Sequence, residues 1–317
     1  MVGFARVFIG LVDQIRPKRW LGKCWNRARH AAARFIHKPS RGIEGRRILQ
    51  RRNQPNRQFG LAVADVVAAF GLWPLWIRLG WNDILYRYRR STLGPFWSTA
   101  NVAITVIALG LIYSQIFHLP IRQLMPYICA GLIVWGFVSS VVLDAGSLFS
   151  GSESYIKQVR LPYFLYVCRF VFGKVALFAH DLPIYILLLL YFQIWPGAVV
   201  LYAIPGFALL VLNAAFASLT IGMASARFRD IPRILASLVQ VLFLVTTIIW
   251  TPDLLGSQSY LAQANPFFHL IEIVRAPLLG AAPSAQTLLV TLAISAINGL
   301  VTIYFFLRFR ARISYWV

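Results

Sequence analysis

The segment Trp76-Ile-Arg-Leu-Gly-Trp-Asn-Asp-Ile-Leu-Tyr-Arg-Tyr-Arg-Arg90 decides how this chain is organised. Its apolar residues recur with the period of one face of an α-helix, at Ile77, Trp81, Ile84, Leu85 and Tyr88. The polar residues fall largely on the other side, at Arg78, Asn82, Asp83, Arg89 and Arg90. An apolar, aromatic face opposite a basic face predicts a helix that lies in the headgroup layer of a membrane.

A membrane-spanning segment follows this helix directly. Residues 91–95 (Ser-Thr-Leu-Gly-Pro) break the first helix and offer caps for a second, and no charged residue occurs from Phe96 to Phe117. The whole chain is 59% hydrophobic and only 13% charged, with a mean hydropathy of +0.67. These values lie outside the range of soluble globular proteins and indicate an integral membrane protein.

Further apolar runs of spanning length, about 20 residues each, succeed one another along the chain. They occupy residues 96–117, 125–143, 170–193, 199–223, 234–251 and 288–307. We therefore predict an all-α integral membrane fold with six transmembrane helices, preceded by the amphipathic interfacial helix. The predicted domains are a basic, mobile tail (1–60), cytoplasmic and interfacial helices (61–95) and a transmembrane domain (96–317).

The basic tail admits several interpretations. Of the 31 lysines and arginines, 19 precede Phe96, and a segment of this kind can lie near anionic headgroups. Nucleic-acid binding is an alternative, but no recognition-helix or aromatic-interleaved pattern supports it, and an organellar presequence also fits. We favour the membrane-associated tail.

The distribution of charge between the connections predicts the orientation. One set of connections carries ten cations: Lys157, Arg160, Arg169, Lys174, Arg227, Arg229, Arg233, Arg308, Arg310 and Arg312. The other set carries only Arg122 and Arg275. Because cytoplasmic connections are enriched in Lys and Arg, both termini are expected in the cytoplasm.

Three connections have unusual composition. Residues 152–162 and 226–233 are polar and basic, and either can be an ordinary connection whose charge orients the protein. The connection 252–287 stays apolar, and Asn265-Pro266 suits the start of a helix on which Glu272 and Arg275 can pair. This pattern favours a re-entrant hairpin packed against protein; the alternative is a loop lying on the surface.

The sequence contains no catalytic constellation. It lacks the Gly-rich Lys-Ser/Thr phosphate loop, so ATP hydrolysis is not expected from this chain, and no His, Cys or carboxylate cluster has metal-ligand spacing. Lys174, His180 and Asp181 lie in the third span, where ionisable groups are functional candidates. We favour a structural contact between helices, while a proton relay would suit the alternative of an ion-coupled secondary transporter.

Some of the many aromatic residues are candidates for lining a sugar path, because a ring offers an apolar face to the C–H surface of a pyranose. Most are expected to be interfacial anchors or lipid-facing packing. The candidates are Trp97, Tyr113, Phe117, Trp135, Phe137, Phe243 and Trp250.

Several spaced motifs resemble one family, the ABC-2 type permeases that export O-antigen, capsule and teichoic-acid polysaccharides. The motifs occur in the family's order: residues 86–97 (Tyr-Arg-Tyr-Arg-Arg-Ser-Thr-Leu-Gly-Pro-Phe-Trp), 156–162 (Ile-Lys-Gln-Val-Arg-Leu-Pro), 226–232 (Ala-Arg-Phe-Arg-Asp-Ile-Pro), 265–267 (Asn-Pro-Phe), 272–275 (Glu-Ile-Val-Arg) and 310–317 (Arg-Ala-Arg-Ile-Ser-Tyr-Trp-Val). The resemblance covers roughly residues 61–317. The first 60 residues depart from it, because the family's segment before the membrane is usually shorter.

The resemblance implies a transport subunit of the bacterial inner membrane. Such a permease forms a homodimer, binds two copies of a separate ABC ATPase that carries the ATP and Mg, and passes a lipid-linked polysaccharide between its protomers. The chain itself would bind no cofactor and no nucleic acid. Each group of residues then has an expected role: coupling to the ATPase for Glu153, Tyr155, Lys157, Arg160, Arg227, Arg229 and Asp230; an interfacial gate for Trp81, Tyr86, Arg87, Tyr88, Arg89 and Arg90; and an outer hairpin for Asn265, Pro266, Glu272 and Arg275.

Overall fold

The computed structural model describes residues 55–89, 94, 96–159 and 161–317. The predicted tail up to residue 54, together with Arg90 and Arg160, lies outside the described residues. The described chain is helical and contains no strand, which confirms the predicted all-α membrane fold. Its α-helices are α1 (Pro55–Gly71), α2 (Trp73–Tyr88), α3 (Phe96–Phe117), α4 (Ile121–Asp144), α5 (Glu153–Gln158), α6 (Tyr163–Phe192), α7 (Ala203–Arg227), α8 (Ile231–Val245), α9 (Tyr260–Gln263), α10 (Pro266–Leu278), α11 (Ala285–Phe309) and α12 (Ile313–Trp316).

Five of the described helices are long and apolar enough to cross a membrane: α3, α4, α6, α7 and α11. The third of these, α6, begins at Tyr163 and runs for 30 residues. It therefore starts seven residues before the predicted span at 170. Trp195-Pro196-Gly197 lies between α6 and α7, with Gly197 at a positive φ of 67°.

The predicted fifth span, residues 234–251, differs from the structure. Helix α8 ends at Val245 after 15 residues, or roughly 22 Å, which is less than the bilayer core of about 30 Å. Residues 246–251 (Thr-Thr-Ile-Ile-Trp-Thr) are not helical. Five of the six are β-branched and the last of them, Thr251, precedes Pro252; both properties disfavour helix. A 3₁₀ helix (Pro252–Gln258), α9 and α10 then return the chain to α11.

Helix α4 forms the centre of the bundle. Inside its apolar segment 56% of the residues are buried, compared with 11–22% in the other four long helices. Phe137 of α4 contacts Phe178 of α6 and Phe207 of α7, with ring centroids 5.8 and 5.2 Å apart. Phe178 and Phe207 also stack on each other at 4.2 Å. This aromatic cluster joins three spans in the core.

The connections gather at two opposite ends of the bundle. At the end that we call the loop end, a Cβ added to Gly146 would lie 2.7 Å from Pro232, so the connection 145–162 contacts the first turn of α8, directly after the connection 228–230. At the end that we call the hairpin end, a Cβ added to Gly280 would lie 3.2 Å from Pro196. The Tyr185 hydroxyl there donates to the Leu278 carbonyl at 2.6 Å.

Helices α1 and α2 form a bent pair at the loop end, and the bend between them is 71°. Helix α2 crosses α6 at close range, since a Cβ added to Gly80 would lie 2.8 Å from the Phe172 ring and 2.9 Å from the Arg169 carbonyl. Trp76 packs edge-on against Phe172 at 5.9 Å. Glycine at position 80 therefore allows α2 to lie directly on α6.

Candidate functional site

Helix α2 begins at Trp73, three residues before the start of the predicted interfacial helix, and ends at Tyr88, two residues before the predicted end. Its predicted apolar face is divided between two environments. Ile84 is buried, whereas Trp81 and Leu85 are each 53% exposed; Tyr86, which is not part of the predicted face, is 69% exposed. Ile84 packs on the protein, and the exposed side chains present aromatic and aliphatic surface outward, as an interfacial helix requires.

Two ion-pair arrangements attach α2 to the bundle. Asp83 accepts hydrogen bonds from Nε and Nη2 of Arg169, both at 2.5 Å. Asp144, at the end of α4, lies 3.5 Å from Arg87 and accepts a hydrogen bond from the buried Lys174 of α6. Asp144 therefore links α2, α4 and α6 at the point where the chain enters the first polar loop.

The three ionisable residues predicted in the third span do not form one network. Lys174 pairs with Asp144, while Asp181 accepts a hydrogen bond from Thr99 at 3.1 Å. The imidazole of His180 packs against Phe96 at 4.8 Å, and its buried Nε2 has no hydrogen-bond partner among the described residues. Lys174 and Asp181 are contacts between helices, which is the structural role favoured from the sequence.

The first polar loop contains the short helix α5. Glu153 and Lys157 pair on it at 2.5 Å, and both side chains are about half exposed. Tyr155 lies under the Arg169 guanidinium at 5.4 Å, so α5 rests on the start of α6. The outward face of α5 carries both signs of charge.

The second polar loop is more exposed. Phe228 is 60% exposed and lies under the guanidinium of Arg227 at 5.3 Å. Arg229 is exposed, and the side chains of Asp230 and Arg233 are 84% and 88% exposed at a separation of 3.9 Å. An exposed aromatic ring beside three arginines offers a surface that a protein partner could cover.

The connection 145–162, the end of α7 and the start of α8 pack into one unit. A Cβ added to Gly222 of α7 would lie 2.9 Å from Leu148, and one added to Gly146 would lie 3.4 Å from the Ser225 hydroxyl. Close backbone approach therefore fixes the first loop against the helix that leads into the second. The structure brings Glu153, Tyr155 and Lys157 to the same end of the bundle as Arg227, Arg229 and Asp230.

Arg275 is the centre of the hairpin end. Its side chain is fully buried and donates to Glu272 at 2.8 and 2.5 Å. It also donates to the carbonyl of Thr247 and lies 4.0 Å from the centroid of the Tyr127 ring. The Tyr127 hydroxyl is 3.2 Å from that same carbonyl and 3.3 Å from the carbonyl of Trp250.

These contacts account for the break after α8. The residues that leave the helix have backbone carbonyls that need partners in a region poor in water, and Arg275 and Tyr127 supply them. Asn265 caps α10, since its side chain accepts from the Phe267 N–H at 2.9 Å, and it also donates to Thr246 at 3.0 Å. Pro266 is the first residue of α10. Helix α10 is therefore buried in protein, and it is not a loop on the surface.

The candidate aromatic residues occupy different surroundings. Trp97 is 63% exposed, and Tyr113 and Phe117 are half-buried neighbours with ring centroids 5.2 Å apart. Trp135 and Phe137 are buried inside the protomer, where Trp135 contacts Phe243 and Phe267. Trp250 donates to the Leu244 carbonyl at 3.5 Å. Trp135 and Phe137 thus face other spans of their own protomer and not an open surface.

Sequence reasoning missed Asp65, Tyr127, Asp144 and Thr247. Asp65 is 3% exposed, accepts from Arg310 at 2.7 Å and accepts from the Phe164 N–H at 2.9 Å. A single carboxylate in an otherwise apolar helix was the available signal, because such a group must find a partner. Among the described residues, no group of three His, Cys, Asp or Glu side chains could hold a metal ion.

Comparison with known proteins identifies the family. A model of the ABC-2 type transporter family matches residues 74–279. The chain is 24% identical over 196 residues to the O-antigen export system permease protein RfbA of Klebsiella pneumoniae, across 60% of this chain and 74% of that protein. It is also 24% identical over 232 residues to the protein of the same name from Myxococcus xanthus, across 70% and 87% of the two chains. Because the family match covers more than half of a chain with five or more candidate spans, this multi-pass membrane protein belongs to the ABC-2 type transporter family.

Proposed function

We propose that this chain is the permease subunit of an ATP-driven exporter that moves a lipid-linked polysaccharide, such as O-antigen, across the bacterial inner membrane. Two copies would assemble with two copies of a separate ABC ATPase. The observation that carries the proposal is the exposure of both polar loops at the loop end, beside α2, where residues 145–148 pack against the end of α7 and the start of α8. The printed names of the relatives, both O-antigen export permeases, support the substrate class.

The loop end would face the cytoplasm, where the ATPase operates. The ten cations predicted for the cytoplasmic side include Lys157, Arg227, Arg229 and Arg233, all in or beside this unit. Movement of the ATPase would press on α5 and on the loop 228–230. Because Asp144 joins this region to α2 through Arg87, the same movement would reach the interfacial helix.

The polymer would pass along a surface shared by two protomers. Helix α3 leaves most of its surface open, with only 11% of its apolar segment buried. Helix α8 exposes an apolar stripe at Ile234, Leu238, Val241 and Val245. A second copy could cover these faces, and Trp97, Tyr113 and Phe117 of α3 are then the aromatics placed nearest to such an interface.

A charge-reversal experiment tests the coupling role. The chain is co-expressed with the ABC ATPase from its own source and purified through a tag on the ATPase. Arg229→Glu should lower recovery of the permease about tenfold or more, because removing one partner of a desolvated interfacial charge pair costs about 2–5 kcal/mol. The change is measured as the permease-to-ATPase ratio.

Arg122→Glu is the matched control, since Arg122 is an exposed arginine at the hairpin end. It should leave recovery unchanged. Equal recovery of Arg229→Glu and wild type, with unchanged ATP hydrolysis, would remove the loop 228–230 from the docking surface.

A further inference from the structure

Helix α1 lies outside the region that the ABC-2 family model matches, since the match begins at residue 74. Of the thirteen residues Phe59 to Gly71, Asp65 is the single polar one. Asp65 is also buried. Every exposed side chain of this segment is therefore apolar, which is the reverse of a helix whose outer face meets water.

The segment has three faces of different size. The face toward the protein consists of Ala62, Asp65 and Ala69, all less than 9% exposed. At 100° per residue, the bulky residues Phe59, Val63, Val67 and Phe70 fall within about 80° of one another. They are 57%, 45%, 64% and 57% exposed. The small residues Gly60, Ala64 and Gly71 fall on the third face and are also exposed. Leu61, which is 42% exposed, lies between this third face and the face toward the protein, apart from the other bulky residues.

Asp65 fixes the height of α1 relative to the membrane spans. Its carboxylate bonds to the first turn of α6, through the Phe164 N–H, and to Arg310, the residue that follows α11. Phe70 contacts Phe164 as well, at 5.8 Å. Asp65 and Phe70 both contact Phe164 at the start of α6, and Asp65 also contacts Arg310 after the end of α11. Helix α1 therefore lies at the ends of two spans.

We propose that α1 is a membrane-surface helix, with the stripe Phe59, Val63, Val67 and Phe70 sunk into the boundary between lipid headgroups and acyl chains. The occupant of this stripe is the lipid bilayer itself. A helix at the level where spans end, with one continuous bulky apolar face and no exposed charge between Phe59 and Gly71, buries that face most favourably in lipid. The 17 residues of α1 extend roughly 26 Å, so α1 lies in the surface and does not cross the core of about 30 Å.

The ion pair of Asp65 supports this placement of α1 at the membrane surface. A charge in an otherwise apolar helix at the membrane surface is costly unless it is paired. Asp65 points away from the stripe and is neutralised by Arg310, so the segment Phe59–Gly71 can enter lipid without an unpaired charge. The same pair prevents α1 from turning about its axis.

Nitroxide accessibility in proteoliposomes tests the proposal. The full chain, with Cys24, Cys129 and Cys168 replaced by alanine, carries a single label at Val63, Ala64 or Val67 in vesicles of phosphatidylethanolamine and phosphatidylglycerol. Collision rates with oxygen and with a water-soluble nickel chelate are compared at each position. Leu300, an exposed residue of α11, supplies the lipid reference, and Arg233 supplies the water reference.

We expect Val63 and Val67 to resemble Leu300, with oxygen collisions dominant, and Ala64 to shift toward Arg233. Labelling of the same three cysteines by a membrane-impermeant maleimide should be slow at 63 and 67 and fast at 64. Three positions that all resemble Arg233 would place the stripe in water and overturn the proposal. Low accessibility to both reagents at 63 and 67 would mean that protein, such as residues 1–54 or a second copy, covers the stripe, and would also overturn it.

Discussion

At the scale of single residues, the buried Arg275 dominates the hairpin end. Its partner Glu272 is 24% exposed, whereas Arg275 is fully buried. Removing Glu272 therefore leaves a buried cation without its counter-ion, while removing Arg275 leaves a carboxylate that water can reach. The two deletions are not equivalent, although the residues form one pair.

This asymmetry gives a prediction. Glu272→Ala should lower stability by roughly 3–5 kcal/mol, the cost of leaving a buried charge unpaired. Arg275→Ala leaves no buried charge, but it removes the bond to the Thr247 carbonyl and the contact with Tyr127, so its cost should come from those lost contacts. The double variant should lose much less than the sum of the single variants. Thermal unfolding in detergent measures all three, with surface polysaccharide export as a functional readout; small, additive losses would contradict the pairing.

Asp65 supplies a second prediction at this scale. Asp65→Ala removes the acceptor of both the Phe164 N–H and Arg310, and should cost roughly 3–5 kcal/mol because Arg310 is left largely buried. Asp65→Asn keeps an acceptor for the N–H and should cost less. Asp253→Ala, at an exposed carboxylate, is the control and should leave thermal unfolding unchanged. Equal losses for the alanine and asparagine variants would exclude the hydrogen bond to α6 as a contributor.

The pair Glu272–Arg275 was predictable from sequence because its members are three residues apart on one helix. The pairs of Asp65 and Asp144 were not, since their partners lie up to 245 residues away along the chain. Spacing rules describe neighbours on one element. Contacts between elements depend on how the helices pack, and periodicity does not specify that.

At the scale of helices, glycines set the closest approaches. A Cβ added to Gly206 of α7 would lie 2.5 Å from the backbone carbonyl of Ile273 in α10. A carbonyl cannot turn aside as a side chain can, so one of the two helices would have to shift.

Gly206→Ala should therefore destabilise the protein by about 1–3 kcal/mol, as overpacking does. Gly173→Ala is the matched control, because no atom lies within 4 Å of its added Cβ. In the control, alanine should be neutral or stabilise α6 by up to about 1 kcal/mol. The comparison is made by thermal unfolding in the same detergent, and equal midpoints for the two variants would show that α7 and α10 are not in tight contact.

The break after α8 shows where hydropathy fails at this scale. Residues 246–251 carry no charge and include Ile248, Ile249 and Trp250, so hydropathy predicts a span that continues to Thr251. The helix stops because β-branched residues and Pro252 weaken it and because Arg275 and Tyr127 satisfy the freed carbonyls. The second cause comes from elements far away in sequence.

At the scale of the whole molecule, the segregation of charge predicts topology. The cations Lys157, Arg229 and Arg310 lie toward the loop end, while Arg122 and Arg275 lie toward the hairpin end. Reporter fusions after Phe149 and Arg229 should therefore report the cytoplasm, and fusions near Arg122 and Ser257 should report the outside. Alkaline phosphatase and green fluorescent protein fusions give opposite signals at each position. Phosphatase activity at Arg229 would reverse the orientation.

Most of the architecture was accessible from composition, because a membrane admits few folds. The number and order of the apolar segments, the interfacial helix before Phe96 and the buried helix after Asn265 follow from hydropathy, period and capping. The role proposed for α1 could not be predicted from the sequence. Without the partners of Asp65, its apolar residues indicate only a short helix before α2.

The contact of Arg275 with Thr247 and Tyr127 also bears on how the protein is made. Tyr127 and Thr247 leave the ribosome 148 and 28 residues before Arg275. Until α10 is synthesised, the broken end of α8 has to enter the membrane with its Thr247 carbonyl lacking the bond from Arg275. The bond that satisfies the Thr247 carbonyl therefore forms late, after α10 has emerged. A nascent chain that stops between α8 and α10 carries an unfinished membrane segment, which quality-control proteases can recognise.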